Sequence, residues 1–428
     1  MPETPVRPRV VIIGGGFGGI SAARVLGRAN VDVTLIDRTN HFIFQPLLYQ
    51  VATAALSPSD ITAPIRWILR HLRNTEVLMA EVREVDPQKK VVRIDDGQRE
   101  IPWDYLIVAT GSRHAYFGHN EWEPYAPGLK AVEDASEIRR RFLLAFENAE
   151  KSEDEKERDE YLTFVIVGGG PTGVELAGAF PYIARKALAP EFRKVDTRRT
   201  RVILVEAGSR LLPTFPEDLA ARATRDLEEL GVDVRVNSFV TLVEPDGVRV
   251  GNDKIRARNA FWAAGNLASP VGKFLDSPLD RAGRILVNAD LSAPGHPEIF
   301  VVGDLAALVQ DGRPIPGVGP AAIQEGKAAA KNILRDLRSE PRKNFRYWNK
   351  GDLAVIGRSR AIADLGWIRF SGRLAWFFWL FVHIMYLVGF RNRVVVLFEW
   401  AYAYFTSQAG VRLITDVERY KPQPPINA

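Results

Sequence analysis

The sequence contains no cysteine. That absence excludes structural disulfides, thiolate-bound metals and any redox-active dithiol. No metal site is expected. Nor is there an apolar stretch ahead of the first strand: MPETPVRPR gives no secretory signal, and a cytoplasmic protein is expected. Net charge is small, +5 over 428 residues, but it is unevenly placed. From Arg342 onward there are 13 Lys and Arg against 5 Asp and Glu, a net of +8, so the preceding residues carry −3. The basic end is also the aromatic end and contains no nucleic-acid motif. It therefore points to an anionic membrane surface, with no nucleic acid as partner. The remaining composition, 46% hydrophobic and 25% charged, is that of a globular chain with a sizeable core, and its length suggests two or three domains.

The chain is organised around Val10 to Asp37, VVIIGGGFGGISAARVLGRANVDVTLID. An apolar strand runs into Gly14-x-Gly16-x-x-Gly19, then a small-residue helix, then a second strand closed by an acid. Gly14 permits the tight turn, Gly16 lets a dinucleotide pyrophosphate approach the backbone, and Gly19 lets the helix pack closely on the sheet. The helix N-terminus offers free N–H groups to phosphate. Asp37 can accept hydrogen bonds from both hydroxyls of an adenosine ribose. The pattern recurs at Gly168-x-Gly170-x-x-Gly173, after the strand TFVIV and before RVILVE, which ends at Glu206. Two dinucleotides are implied.

Between these turns lie further repeats. After Asp37 comes a loop and helix rich in Phe, Gln, Pro and Tyr. Residues 76–101 suggest an antiparallel meander, and WDYLIVATG at 103–111 a buried strand. The charge run at 150–160 suggests the solvated end of a helix starting at Asp134, or a linker. Residues 181–200 suggest an extended helix and a loop. A second meander is expected at 232–257, and AFWAAG at 260–265 takes the place that WDYLIVATG held in the first half. The architecture is duplicated. The expected fold is α/β: two Rossmann-like dinucleotide-binding domains, the second inserted in the first, plus a C-terminal helical membrane-associating region. The first domain is expected over 1–119 and 284–340, the second over 120–283, and the C-terminal region over 341–428. The strand IFVVGDL at 299–305 belongs to the resumed first domain.

These residues resemble the type II NADH dehydrogenases, flavoproteins within the larger group built like the disulfide reductases. The resemblance rests on Gly14 to Gly19, NHFIFQPLLYQVATAALSP at 40–58, ATG at 109–111 and GGGPTGVELAG at 168–178. It continues through VEAGSRLLP at 205–213, FVVGD at 300–304 and the aromatic C-terminus. It implies that the first unit holds FAD through Gly14, Gly16, Phe17, Gly18, Gly19, Asp37, Arg38, Gln45, Ala109, Thr110, Gly111, Gly303 and Asp304. Asp304 would serve the ribityl and pyrophosphate part; otherwise it is a turn acid. His41, Phe44, Gln45, Pro46 and Tyr49 belong to a loop expected beside the isoalloxazine, although His41 and Tyr49 could equally be packing residues. The second unit would hold NADH through Gly168, Gly170, Thr172, Gly173, Glu206, Ala264 and Gly265. Glu206 favours NADH by repelling a 2′-phosphate, and Arg210 could soften that preference. Glu175, placed in the first turn of the second glycine helix, could interact with the helix dipole; the resemblance adds a catalytic role in positioning NADH or relaying protons. The helix expected over 320–334 could point its N-terminus at the flavin. The family pattern there, Ala-Gln-x-Gly-x-x-x-Ala, is matched at Gln324, Gly326 and Ala330, with Ile323 replacing the first alanine. Those residues would serve the quinone, Gln324 catalytically.

Relatives that reduce disulfides or oxidise sulfide need a cysteine pair beside the flavin. Without one, electrons must leave reduced flavin directly. LAWFFWLFVHIMYLVGF at 374–390, flanked by Arg373, Arg391 and Arg393, would be about 26 Å long as a helix, at the lower limit for crossing a bilayer. A second aromatic run follows at 394–405. Both are expected as helices in the interface, with a core helix or a dimer contact as the other uses and a homodimer left open. The expected activity is non-pumping electron transfer from NADH through FAD to a membrane quinone, on the cytoplasmic face of the inner (plasma) membrane. The alternatives are a soluble FAD-dependent reductase of a ferredoxin-like carrier, and a flavoprotein that senses NADH.

Overall fold

The computed structural model describes residues 7–406 and 410–415; the first six residues and most of the C-terminal end of the expected membrane region lie outside them. The chain divides into two compact units, Met1–Ile43, Thr62–Ala115 and Asn266–Lys350 forming one, and Phe44–Ile61, Tyr116–Gly265 and Gly351–Ala428 the other. Both are α/β, as the sequence leads one to expect.

In unit 1, apolar β-branched runs such as RVVII have no polar face to turn to water, so they form central strands covered on both sides. The sheet order is Ser292–Ala293, His296–Val301, Tyr105–Val108, Arg9–Ile13, Asp32–Asp37, Thr75–Met79. All pairs are parallel except the hairpin between the first two. Register decides what this sheet presents. Ile13 pairs with both Ile36 and Val108, and Val108 with Val301. Gly14, Asp37, Ala109 and Val302 therefore leave the sheet at one end. On one face, Val11, Val108 and Val301 pack against Val85, Val92 and Ile94 of an antiparallel meander. The helix Phe17–Leu26 packs along Gly319–Asp336, and a Cβ on Gly326 would overlap the Gly18 carbonyl.

Unit 2 repeats the plan with fewer strands. Its parallel sheet runs Val232–Arg235, Arg201–Val205, Thr163–Val167, Asn259–Trp262. Val165, Val167, Ile203 and Val205 bury one face against the meander residues Val243, Val248 and Ile255. The helices Val132–Lys151 and Pro171–Tyr182 contribute Phe142, Phe146 and Phe180, which meet Phe164 and Phe261 in one cluster of rings.

Three local expectations change. Thr75–Met79 and Val232–Arg235 join the parallel sheets, so each meander starts one strand later than its alternating pattern suggests. The charge run is split between the end of Val132–Lys151 and a short helix, Glu155–Tyr161, whose cap Asp154 accepts from the Lys156 N–H at 3.0 Å. The tail opens with a three-stranded antiparallel sheet, Asp352–Gly357, Arg360–Asp364 and Arg369–Ser371, before its helices Arg373–Tyr386 and Phe390–Thr406. Among the described residues no helix is long and apolar enough to cross a membrane. The apolar run breaks after Tyr386, leaving a helix of about 21 Å.

Candidate functional site

The two glycine turns have the same construction. Gly14 has φ +104° and Gly168 φ +111°, conformations that side-chain-bearing residues avoid. A Cβ at Gly14 would overlap the Ala109 carbonyl, and one at Gly168 would sit 2.7 Å from the Ala264 nitrogen. Each turn is pinned by a backbone bond into the second strand, Gly14 N–H to the Ile36 carbonyl and Gly168 N–H to the Val205 carbonyl, both 2.8 Å. A Cβ on Gly19 would overlap the Gly14 carbonyl, and one on Gly173 the Gly168 carbonyl. These two residues set how closely helix and strand approach. Gly16 and Gly170, by contrast, have nothing within 4 Å of a built Cβ. They are the helix caps, and neither helix has a side-chain cap. Free amide donors therefore meet open space, the arrangement that a pyrophosphate fits.

The acids are integrated into the turns. Asp37 accepts from the Gly15 N–H at 2.6 Å through one oxygen, and from the Thr39 N–H at 2.7 Å and hydroxyl at 2.8 Å through the other. Glu206 accepts from the Gly169 and Gly208 N–H groups, both at 2.6 Å. Each carboxylate has fixed oxygens with lone pairs left for hydroxyl donors. Arg38, next to Asp37, is exposed and makes no ion pair among the described residues. Arg210 donates from one Nη to the Pro213 carbonyl at 3.0 Å.

Unit 1 adds a grip that unit 2 does not share. Ala109, Thr110 and Gly111 continue from the strand beside the turn, and among the described residues the buried Thr110 hydroxyl has no partner, nor has the His41 Nε2. A buried polar atom with no partner is costly, and a bound cofactor's polar groups would satisfy it. Gly303 turns with φ +74° and places Asp304, whose Oδ2 accepts from the Ser112 hydroxyl at 2.6 Å. Asp304 faces a cleft of about 160 Å³, also lined by Ser112, Arg284 and Gly317. Phe17 sits edge-on to Phe42 with ring centroids 5.0 Å apart. The donor set, the open glycine cap and the orphaned hydroxyl together fit a dinucleotide cofactor.

Several expected residues have more structural duties. In unit 1, Gly326 and the fully buried Ala330 occupy the packed interior of the helix Gly319–Asp336. The Gln324 amide is paired with the backbone of Trp348, its Nε2 donating to the carbonyl and its Oε1 accepting from the N–H, both at 3.0 Å. Gln45 lies in unit 2, donating to the Lys130 carbonyl at 3.3 Å. Thr172, Ala264 and Gly265 lie around the second turn, Gly265 with φ +74°.

Glu175 is the fifth residue of Pro171–Tyr182, a turn further in than the sequence suggests, beyond the reach of the dipole. Burial of its carboxyl pushes the pKa well above the usual carboxylate range, with the Val355 N–H pulling weakly the other way. Burial and the nearby Glu175 charge likewise raise the Tyr49 phenol. Tyr49 accepts from Gln50 Nε2 at 2.9 Å, and Gln50 Oε1 accepts from Trp400 Nε1 at 2.7 Å. That chain is not legible in the sequence, because Trp400 lies 350 residues from Gln50. Nor does the sequence mark Glu325, nearly fully buried, which accepts from the Gly303 N–H at 2.5 Å.

On the tail helix Arg373–Tyr386, Leu374, Phe377, Phe381 and Met385 are all more than half exposed at helical spacing. Trp379 is buried on the other side, stacked on His383 at 4.0 Å, and burial pushes the His383 pKa down to about 4. That side chain is uncharged at neutral pH.

Doubled glycine turns, each with an acid fixed beside it, and no cysteine anywhere, define a two-dinucleotide oxidoreductase without a dithiol relay. Residues 8–326 match the pyridine nucleotide-disulphide oxidoreductase family, and 349–408 match the NDH2 C-terminal domain. The chain is 44% identical to the Mycobacterium tuberculosis type II NADH:quinone oxidoreductase NdhA over 96% of its own length and 90% of that protein. It is 41% identical to Ndh of the same organism over 98% and 92%. It therefore belongs to the type II NADH:quinone oxidoreductases. A solved NDH2 from Plasmodium falciparum in complex with NADH has the same fold, with a TM-score of 0.86 at 21% identity, covering 94% of this chain and 99% of that one.

Proposed function

We propose that the chain takes electrons from NADH and passes them through FAD to a membrane quinone, with unit 1 as the FAD-binding part and unit 2 as the NADH-binding part. The observation that carries this assignment is the difference between two otherwise like turns. Both have an open glycine cap and a fixed acid, but only the first is joined by Thr110, Gly303 and Asp304. Bound FAD supplies a two-electron carrier able to accept a hydride and to reduce a small oxidant.

The remaining work falls to the chain. The amides after Gly16 and Gly170 hold the pyrophosphates. Asp37 Oδ1 and Oδ2 accept from the adenosine ribose of one dinucleotide, with Arg38 beside it. Asp304 and Thr110 serve the middle of the same cofactor. Glu206 accepts from both ribose hydroxyls of NADH and repels a 2′-phosphate, so NADH is preferred over NADPH. Glu175, held protonated by burial, keeps a proton on its carboxyl for delivery when quinone is reduced. Gln324, whose Oε1 keeps a second lone pair beside the bond it accepts from the Trp348 N–H, is the polar group offered as quinone is reduced, with Gly326 and Ala330 acting through the close helix packing. The outward aromatic stripe of Arg373–Tyr386, beside the basic Arg373, Arg391 and Arg393, suits a peripheral seat on an anionic membrane surface at the cytoplasmic face. A homodimer through that stripe is the competing use, and co-flotation with anionic vesicles against sedimentation in their absence separates the two.

The test is anaerobic addition of NADH to the purified yellow protein, followed by a short-chain quinone, while flavin absorbance is recorded. NADH should bleach the flavin and quinone should restore it promptly. Bleaching without recovery would reject quinone as acceptor, and no bleaching would reject NADH as donor.

A further inference from the structure

Glu325 is a carboxyl with no cation beside it. It lies midway along Gly319–Asp336, 3% exposed, between Gln324 and the close-packed Gly326. An acid so placed has to be explained, since burying a carboxylate without a counter-charge is costly. Among the described residues its carboxylate accepts one hydrogen bond, from the N–H of Gly303 at 2.5 Å. Gly303 is the left-handed residue that swings the chain from the strand His296–Val301 into Asp304. Without an acceptor there, the turn would bury an unsatisfied N–H.

We propose that Glu325 is a positioning residue for the flavin: its carboxylate clamps the Gly303 turn and so fixes Asp304 toward the cofactor. The proposal rests on the assignment of FAD to unit 1. It assigns a duty to a buried acid of this helix, distinct from the Gln324 amide, which pairs with the Trp348 backbone.

The surroundings make the clamp sensitive to pH. Of the elements packed on the helix, Phe17–Leu26 brings Arg24, His296–Val301 brings His296 and Glu298, and the Gly303 turn brings Asp304. Its own helix carries Lys327, Lys331, Arg335 and Asp336. Of these only the Asp304 charge acts appreciably on Glu325. Burial and that like charge push the Glu325 pKa up to about 7, against the opposing pull of the Gly303 N–H. The ionised form makes the stronger, charge-assisted bond, so the turn is held more firmly above neutrality than below.

The experiment uses the holoprotein and its E325Q and E325A variants, with FAD release on dilution followed by flavin fluorescence between pH 6 and 8.5. Circular dichroism reports folding. Wild type should hold FAD several-fold more tightly at the alkaline end. E325Q, which keeps an acceptor but no charge, should bind FAD a few-fold more weakly with a flat profile, and E325A at least about ten-fold more weakly, the scale set by losing a hydrogen bond to a charged group. NADH affinity should be the same in E325Q and wild type. Should E325A not fold, the E325Q profile decides. A wild-type pH profile preserved in E325Q, or unchanged FAD retention in a folded E325A, would overturn the clamp. Wild-type protein that binds no FAD would instead overturn the assignment of unit 1 to FAD.

Discussion

The two glycine turns were built to one pattern, and the sheets around them were not. Both have a left-handed first glycine, an open cap, a close-packed third glycine and an acid accepting from the following glycine's N–H at 2.6 Å. The four strands of unit 2 correspond in order to four of the six in unit 1. What unit 1 adds is the strand His296–Val301 with its hairpin partner Ser292–Ala293, and that strand ends at Gly303–Asp304. A turn that grips one end of a dinucleotide suits a substrate that must leave. The same turn with a second grip a strand further along suits a cofactor that stays.

The strongest way to break this comparison is to damage each turn identically. In Gly19→Ala and Gly173→Ala the new methyl meets a carbonyl oxygen that has nowhere to move, a backbone clash costing about 3 kcal/mol or more. Gly19→Ala should purify without flavin. Gly173→Ala should stay yellow and reducible by dithionite, with flavin reduction by NADH slowed at least ten-fold. If both variants lost flavin, or neither did, the division of labour would be wrong.

A smaller effect sharpens the same division at the acids. Removing a charged acceptor from a ribose is worth about 1.5–3 kcal/mol, or roughly ten- to a hundred-fold in binding. Glu206→Ala should raise the KM for NADH by that factor and narrow the gap between NADH and NADPH, leaving FAD content unchanged. Asp37→Ala should do the reverse, weakening FAD while the preference between donors persists. Spectra of the purified proteins and initial rates with each donor check both halves.

The doubled turn was legible in the sequence because its requirements are local. Glycine spacing, a preceding apolar strand and an acid at the end of the next are all set within one βαβ unit. What surrounds the turns was not. Glu325 was overlooked between two motif residues, since nothing in EGKAAAK says that this acid points inward at Gly303. The Trp400–Gln50–Tyr49 chain joins segments no local pattern links. Glu175 falls just past the first turn because the helix starts at Pro171, directly after the glycine cap. The sheet at 352–371 is masked in the sequence by the aromatic runs that follow it. Gln324 shows the converse: the motif marks the residue, but not the pairing of its amide with the Trp348 backbone.

Glu175, part-buried in unit 2, and Glu325, buried in unit 1, should also part in their response to pH. In each the folded-state pKa is raised, so folding is favoured most below the ordinary carboxylate range and loses stability as pH rises through the folded value. For Glu325 that window runs from the usual 4.5 up to about 7. For Glu175 it starts at the same point and extends until the well-raised value is passed. Thermal melts across pH 4–9 should show Glu175→Gln equal to wild type at the acid end and progressively more stable than wild type as pH rises. A variant that tracks wild type throughout would mean that the carboxyl is not desolvated.

The smallest expected effect lies in the tail. Trp400→Phe keeps an aromatic ring but gives up the indole N–H that donates to Gln50 Oε1 at 2.7 Å and part of the contact with Trp379, costing about 1–2 kcal/mol. Because Gln50 also donates to Tyr49, the loss should loosen the tyrosine beside Glu175 within unit 2 while both glycine turns keep their ligands. FAD content and NADH-driven bleaching should then be unchanged, and reoxidation by quinone slowed two- to five-fold. If bleaching slowed as much as reoxidation, the tail's bond would be serving the stability of the whole unit instead of the acceptor step.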